Sequence, residues 1–335
     1  MMGTIKKSLF MITALSYSCL TLAQTASLGA PGNTNKIELD QLDEPVPNYT
    51  VAQIVPAYKI AIKKGMFEVA GGLGHVDQSK QATRGQAQNV KQNPQTDYLP
   101  FQMAYAFSDN FYIAVAGRAI RTTDRVANTS LEGTSEPQFS ASYAFRNSYS
   151  VLLLTGTYNA DIGPKTEIYK GASRMEGNTL TGGASGELQG GYYARLGPAI
   201  LGGEISYLYK DSRIVNTRDI APYTAYETAP TQDRLEGGAE KSLRAVAELA
   251  TSFRLGVYYG RTWIEQEDYI RSNQFAPFTN NSYFKDTVGA YGRIQVHPRL
   301  SVLPLISVSE APDTSGQSNQ STHEIQTQIS LRFRF

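Results

Sequence analysis

Residues 324–335 read Glu-Ile-Gln-Thr-Gln-Ile-Ser-Leu-Arg-Phe-Arg-Phe, with apolar and polar side chains alternating up to a terminal aromatic. Strict alternation is the period of a strand that separates two different surroundings. Ile329, Leu331, Phe333 and Phe335 fall on one face, and Ser330, Arg332 and Arg334 on the other. A sandwich strand can alternate in the same way, so the fold turns on whether the pattern repeats. It does. From about residue 65 the chain carries twelve such segments, at 66–76, 97–107, 111–121, 136–145, 149–159, 184–195, 199–210, 241–251, 253–264, 286–296, 300–309 and 322–335. A tilted strand crosses a bilayer in about 9–11 residues, which each of these supplies.

The connections alternate in length. Ser108-Asp109-Asn110, Arg146-Asn147-Ser148, Leu196-Gly197-Pro198, the region of Thr251-Ser252 and His297-Pro298-Arg299 are short and rich in turn formers. Those between them, at 77–96, 122–135, 160–183, 211–240, 265–285 and 310–321, are long and polar. Short turns at one rim and long loops at the other describe a transmembrane antiparallel β-barrel of about twelve strands. The faces sort accordingly. Strand two sets Leu99, Phe101, Met103, Tyr105 and Phe107 against Gln102, Ala104 and Ala106; strand eight sets Leu243, Ala245, Ala247 and Leu249 against Arg244, Val246 and Glu248. Strands five (YSVLLLTGTY) and eleven (LSVLPLISVS) are apolar on both faces, so alternation does not orient them. Aromatics crowd the short turns (Tyr105, Phe107, Phe111, Tyr112; Tyr143, Phe145, Tyr149), and with 21 tyrosines against one tryptophan the interfacial belt is mostly phenolic.

With those strands in place, the ending resembles the C-terminal assembly signal of Gram-negative outer-membrane proteins, carried here by Ile329, Leu331, Phe333 and Phe335. The resemblance extends to the porin-like barrel superfamily over about 66–335. It implies an outer-membrane location and recognition of the last strand by the barrel-assembly machinery.

The other end fits export. Lys6 and Lys7 precede the mostly apolar Leu9–Leu22, and Thr21-Leu22-Ala23 offers small residues for cleavage, so residues 1–23 read as a signal peptide cut before Gln24. Cys19, the one cysteine, lies inside it; lipidation there is the alternative, with Ser16-Tyr17-Ser18 a poor lead-in. Removing two lysines turns 31 basic against 30 acidic residues into 29 against 30, which makes no electrostatic case for nucleic acid. Beyond the signal no apolar run reaches the roughly 18 residues of a membrane helix. Residues 24–64 carry proline and charge without periodicity and read as a periplasmic extension, a lumen plug being the alternative; residues 65–335 form the barrel.

Catalysis finds no support in the motifs: there is no GxSxG elbow, no HExxH, and no Ser/His/Asn or paired-Asp grouping at loop positions. No cofactor is expected. His75 ends strand one and His323 starts strand twelve, so barrel closure is expected to bring them together, with Asp77 and Glu324 nearby, as a weak candidate metal or proton site. The inner face is richer. By phase the lumen receives Glu68, Arg118, Glu187, Arg195, Glu204, Arg244, Glu248, Arg293, Arg332 and Arg334, six basic against four acidic, a bias towards anionic solutes. These groups either line an aqueous passage or ladder across the lumen and seal it. A barrel of about twelve strands is wider than the roughly eight that side chains alone can fill.

The expected function is therefore passive diffusion of small polar or ionic solutes. The competing reading is a sealed structural barrel that organises outer-membrane lipid or protein partners. Small residues on the lipid phase (Gly71, Gly117, Ala119, Gly203, Ala245, Ala247, Ala290, Gly292) favour a homo-oligomer. Two loops add candidates. The 211–240 loop (Arg213, Arg218, Asp219, Tyr223, Tyr226, Glu227, Asp233, Arg234, Glu236) is long enough to fold inward, and the 265–285 loop (Tyr269, Phe275, Phe278, Tyr283, Phe284) offers aromatics for contact.

Overall fold

In a computed structural model the described residues are 49–81, 94–124, 129–135, 137–160, 166–170, 173–177, 184–220, 231–235, 237–265, 267–271, 278–280, 282–312 and 321–335. The signal segment 1–23, residues 24–48 and the loop residues Tyr223, Tyr226, Glu227, Glu236, Phe275 and Pro277 lie outside them.

The barrel strands are β1 (Phe67–Gln81), β2 (Pro94–Ala106), β3 (Phe111–Asp124), β4 (Gln138–Arg146), β5 (Ser150–Asn159), β6 (Ser185–Leu196), β7 (Ala199–Lys210), β8 (Ala239–Ala250), β9 (Arg254–Ile264), β10 (Tyr283–His297), β11 (Leu300–Pro312) and β12 (Ser321–Arg334). Each pairs antiparallel with its sequence neighbours, and β12 returns to β1 in the register Glu68–Arg334 through Gln81–Ser321. The closed ladder leaves no edge for lipid to meet, the condition for crossing a bilayer with strands. Side-chain chemistry sets the five short turns. Asn147 Oδ1 accepts from the amides of Tyr149 (3.0 Å) and Ser150 (2.7 Å), Ser108 Oγ from that of Phe111 (3.0 Å), and Gly197 turns with φ of 59°.

At the opposite rim several connections read as loops carry paired strands. Residues 213–217 pair with 231–235, 218–220 with 174–176, and 233–235 with 269–271, so these hairpins prolong the sheet. An inward fold of the 211–240 loop is not what its described backbone adopts. Extended, paired backbone satisfies its own hydrogen bonds, which an unpaired loop of that length cannot do.

The outward face is apolar: Leu99, Phe101, Met103 and Tyr105 point out while Ala104 and Ala106 are buried inside. Aromatic contacts gather at the short-turn rim, with ring centroids 4.9 Å apart for Tyr105 and Phe107, and 4.7 Å for Tyr143 and Phe145. The four residues of the terminal pattern, Ile329, Leu331, Phe333 and Phe335, all face outward. Phe335 also closes the cylinder through its backbone, donating to Phe67 O (2.9 Å) and accepting from Phe67 N (3.2 Å).

Inside, four tyrosines lie flat over glycines directly opposite them on neighbouring strands: Tyr98 over Gly74, Tyr193 over Gly202, Tyr291 over Gly256 and Tyr258 over Gly289. A Cβ added at any of the four glycines would sit 2.0–2.3 Å from the ring, so the pairs are specified at both positions.

Candidate functional site

The two strands that alternation could not orient disclose what the lumen holds. β5 turns Val151 and Leu153 inward, buried with Ala104, Ala106, Ala114, Ala144 and Ile200. An inner face this apolar needs a cover, and residues 49–66 supply one. Thr50 caps a single helical turn, Val51–Ile54, through a capping box with Gln53, and Pro56 ends it. The chain then crosses the lumen as a strap that buries Ile54, Val55, Ile60, Ala61 and Ile62 among those barrel residues, and Ala57 against Val246 and Tyr291. Gly65, with φ of 77°, turns it into β1. Residues 49–64, part of the segment read as a periplasmic extension with a lumen plug as the alternative, pack against inward-facing barrel side chains. The physical reason is burial of the large aliphatic side chains of Val51, Ile54, Val55, Ile60 and Ile62, each stabilising by about 1.5–3 kcal/mol.

Irregular backbone in such a place must find partners, and charged side chains of the wall provide them. Arg254 Nη1 donates to Ala52 O (2.9 Å) and Nη2 to Val55 O (2.5 Å), while its guanidinium pairs with Glu248. Arg195 Nη1 donates to Gln53 O (2.9 Å), with its guanidinium 4.3 Å above the Tyr49 ring. Arg332 reaches Ala57 O (3.3 Å), Lys59 O (3.2 Å) and Tyr58 O (3.4 Å). Carboxylates take the strap's donors. Glu248 Oε2 accepts from the Ala57 amide (2.7 Å), and Glu204 accepts from the hydroxyls of Tyr58 and Tyr193, the latter at 2.7 Å. Lys59 lies 3.4 Å from Glu204 and donates to Gln189 Oε1 (2.8 Å). Barrel arginines thus hold strap carbonyls, and barrel carboxylates hold strap N–H, O–H and ammonium groups.

Several of the residues assigned to the lumen by phase are engaged with the strap or with one another. Arg195, Glu204, Glu248 and Arg332 grip the strap directly. Arg244 supports Glu204 at 3.4 Å, and Glu68 pairs with Arg332 (3.1 Å) and Arg334 (2.8 Å) across the β1–β12 seam. Glu187 lies within electrostatic reach of the strap's Lys59, Arg118 lines a chamber with the strap's Tyr58, and Arg293 donates to Ser301 Oγ (3.2 Å). Sequence reasoning missed Arg254, Tyr58, Lys59, Gln189 and Tyr193. The inward Val151 and Leu153 were the signal that could have found the strap.

Beyond the strap, with Tyr58 in its floor, lies a chamber of about 600 Å³. Its wall carries a hydrogen-bonded row: Gln326 Nε2 donates to Tyr98 Oη (2.7 Å), Tyr98 to Gln328 Oε1 (3.0 Å), and Gln328 Nε2 to Ser330 Oγ (2.8 Å). Three cations line it. Arg332 is held by Glu68 and Lys210 by Glu240, whereas Arg118, 6.0 Å over the Tyr98 ring, meets no carboxylate among the described residues.

The candidate histidine site does not form. In the closing register His75 stands opposite Thr327 and His323 opposite Ser79, four rungs away. His75 Nδ1 contacts Asp97 Oδ1 at 2.7 Å, and His323 Nε2 lies 4.0 Å from Glu310. The described residues contain no cluster of three metal-ligating side chains. Two of the small outward residues are covered by their own neighbours, Gly117 by the Phe101 ring and Gly292 by Leu255 and Pro304.

No family model and no curated protein matches the sequence. Solved structures do match in shape. An outer membrane channel from Pseudomonas putida F1 superposes with a TM-score of 0.57 at 9% identity, over 83% of this chain and 98% of that one. The translocator domain of the autotransporter NalP from Neisseria meningitidis gives 0.50 at 11% identity, over 82% and 90%. A deletion mutant of the monoaromatic hydrocarbon channel TodX gives 0.50 at 8%, over 82% and 91%. Identities this low speak for the fold alone. The closed ladder, the apolar outer wall and these superpositions together establish that the chain has the fold of the Gram-negative outer-membrane β-barrel proteins.

Proposed function

We propose that this chain is a gated outer-membrane channel for small polar or ionic solutes, closed at the short-turn end by its own strap. The observation that carries the reading is the latch. Strap backbone carbonyls are held by three arginines from three different strands, over a polar chamber in which Arg118 meets no carboxylate among the described residues. A lumen filled only for stability is better served by apolar packing, because buried charges cost desolvation that mutual attraction barely repays. Charged latches favour reversible closure, since the charged and polar groups released are ones that water solvates well, and they offset part of the cost of exposing the strap's aliphatic side chains. Arg118 supplies the chamber with a binding point for an anionic group. The diffusion expected from composition thus acquires a barrier, and conduction follows strap release. In this reading lipid covers the outer wall, and the assembly machinery reads the Phe335 end during insertion.

Ala57, 2% exposed beneath the chamber, tests the gate. With Cys19 removed as part of the signal, Ala57→Cys is the sole thiol. The expected result is slow labelling by a membrane-impermeant maleimide at a rate that tracks the channel's open fraction. Immediate, complete labelling of a folded barrel would mean the strap does not reside in the lumen.

A further inference from the structure

The strap closes the barrel axis, so the remaining boundaries of the chamber decide where its contents can go. One of them is thin. β1 pairs Gly71 with Phe101 and Gly74 with Tyr98, but Gly72 and Leu73 are unpaired opposite Leu99 and Pro100. β10 pairs Tyr291 with Leu305 and Ile294 with Val302, and Gly292 and Arg293 are unpaired opposite Leu303 and Pro304. Each gap contains a proline, which has no N–H to donate and is ordinarily confined to sheet edges. A closed barrel has no edges, and lipid cannot satisfy the orphaned backbone groups, so two such gaps flanking the same three strands (β11, β12 and β1) are costly to keep. Each gap also holds a glycine, Gly72 at one and Gly292 at the other, so one position in each contributes no side chain of its own to the wall.

Two cavities meet at this wall. Inside is the chamber. Outside, across the lipid-facing surface of the same strands, runs a groove of about 1470 Å³ walled by Leu73, Leu99, Leu255, Ile306, Ile329 and Leu331. Gly71, Tyr98, Tyr291, Gly292, Pro304 and Gln328 line both. The chamber itself is mixed in character: Arg118 and the glutamine row stand beside Tyr58, Leu208, Leu303 and Leu305.

We propose that the two cavities are joined by a lateral passage at these seams, taken by a small amphipathic anion whose acid group is received by Arg118 and whose apolar body moves into the groove. The inference rests on the channel reading and deepens it, by giving the class of cargo and a path that leaves the strap docked. The chemistry on the two sides matches that cargo, because the groove sets Leu73, Leu99, Leu255, Ile306, Ile329 and Leu331 beside a smaller polar portion at His75, Asp97, Arg121 and Glu132.

The test uses the full chain in liposomes and benzophenone-4-carboxylate, a photoreactive aryl acid, with labelled residues mapped by mass spectrometry. Labels are expected in the chamber, at Gln102 or Gln326, and in the groove, at Leu73 or Ile329. Gly71→Phe fills the groove, and it is tolerated because a Cβ there meets nothing nearer than Pro100 O at 3.8 Å. It is expected to cut groove labelling at least tenfold and leave chamber labelling intact, whereas Arg118→Ala is expected to lower both. Chamber labels without groove labels in the unaltered chain overturn the passage and leave the channel reading standing. Groove labels that persist in Arg118→Ala mean the probe arrived from the lipid, which also overturns it. If the chamber takes no label at all, the passage falls together with the channel reading. A shift of Gly71→Phe from oligomer to monomer would make the groove an interface between copies and overturn the passage.

Discussion

Arg254→Ala isolates the latch. The side chain is 13% exposed and gives two charge-assisted hydrogen bonds to strap carbonyls, at 2.9 Å to Ala52 and 2.5 Å to Val55. Bonds of this kind are worth about 1.5–3 kcal/mol each, so losing both weakens docking by about 3 kcal/mol at the lower bound. At about 1.4 kcal/mol per factor of ten, the open-to-closed ratio rises by roughly 100-fold. Arg254→Met keeps the aliphatic stem and separates lost packing from lost hydrogen bonding. Single-channel recording in a planar bilayer reads the ratio from dwell times, and heat-modifiable gel migration confirms that the barrel is folded. The expected record shows long openings in both variants. If Arg254→Ala folds normally and its open-to-closed ratio changes less than twofold, arginine–carbonyl contacts do not hold the strap and the gating account is wrong.

Three other perturbations follow from the same geometry. Glu204→Gln removes the charge that Lys59, Arg244, Tyr58 and Tyr193 share, and is expected to speed maleimide labelling of Ala57→Cys about tenfold or more, through loss of about 1.5–3 kcal/mol of charged hydrogen bonding. Gly202→Val drives a side chain into the Tyr193 ring at 2.3 Å and the Tyr192 carbonyl at 2.8 Å, so the folded barrel should be destabilised by about 1–3 kcal/mol, seen as a lower urea midpoint in refolding titrations. Deleting Phe335 removes two backbone hydrogen bonds at the closing seam, and is expected to reduce folded yield in refolding while leaving conductance per folded barrel unchanged.

Period carried most of the fold. Alternation in β2, β4, β8 and β12, together with the short turns at Asn147 and Gly197, marks strand, face and rim, because a half-buried pleat permits little else. What period could not resolve was the inner face of β5. Val151 and Leu153 are apolar inside a barrel whose lumen also receives charged side chains, and the reason is the strap they pack against, some 90 residues away in the chain. The strap was illegible for the opposite reason. Residues 49–64 form one helical turn broken by Pro56 and then irregular backbone, so no local rule separates them from a solvated tail. Only partners from β6, β8, β9 and β12 give that backbone its place. The charged lumen residues were found by phase, yet phase says which way a side chain points and nothing of what it meets. Arg195, Glu204, Glu248 and Arg332 therefore read as pore lining, and in the fold they contact the strap. The histidine pair failed on register: closure made β1 and β12 neighbours, as the strand count required, but set His75 and His323 four rungs apart.

The central claim is that the strap shuts a barrel that would otherwise conduct. Single-channel conductance of the chain from residue 24, beside a chain from residue 65 that lacks the strap, tests it most directly. The account predicts brief, rare openings for the first and sustained discrete steps for the second, at the same salt and voltage. Equal conductance from two folded barrels would contradict it.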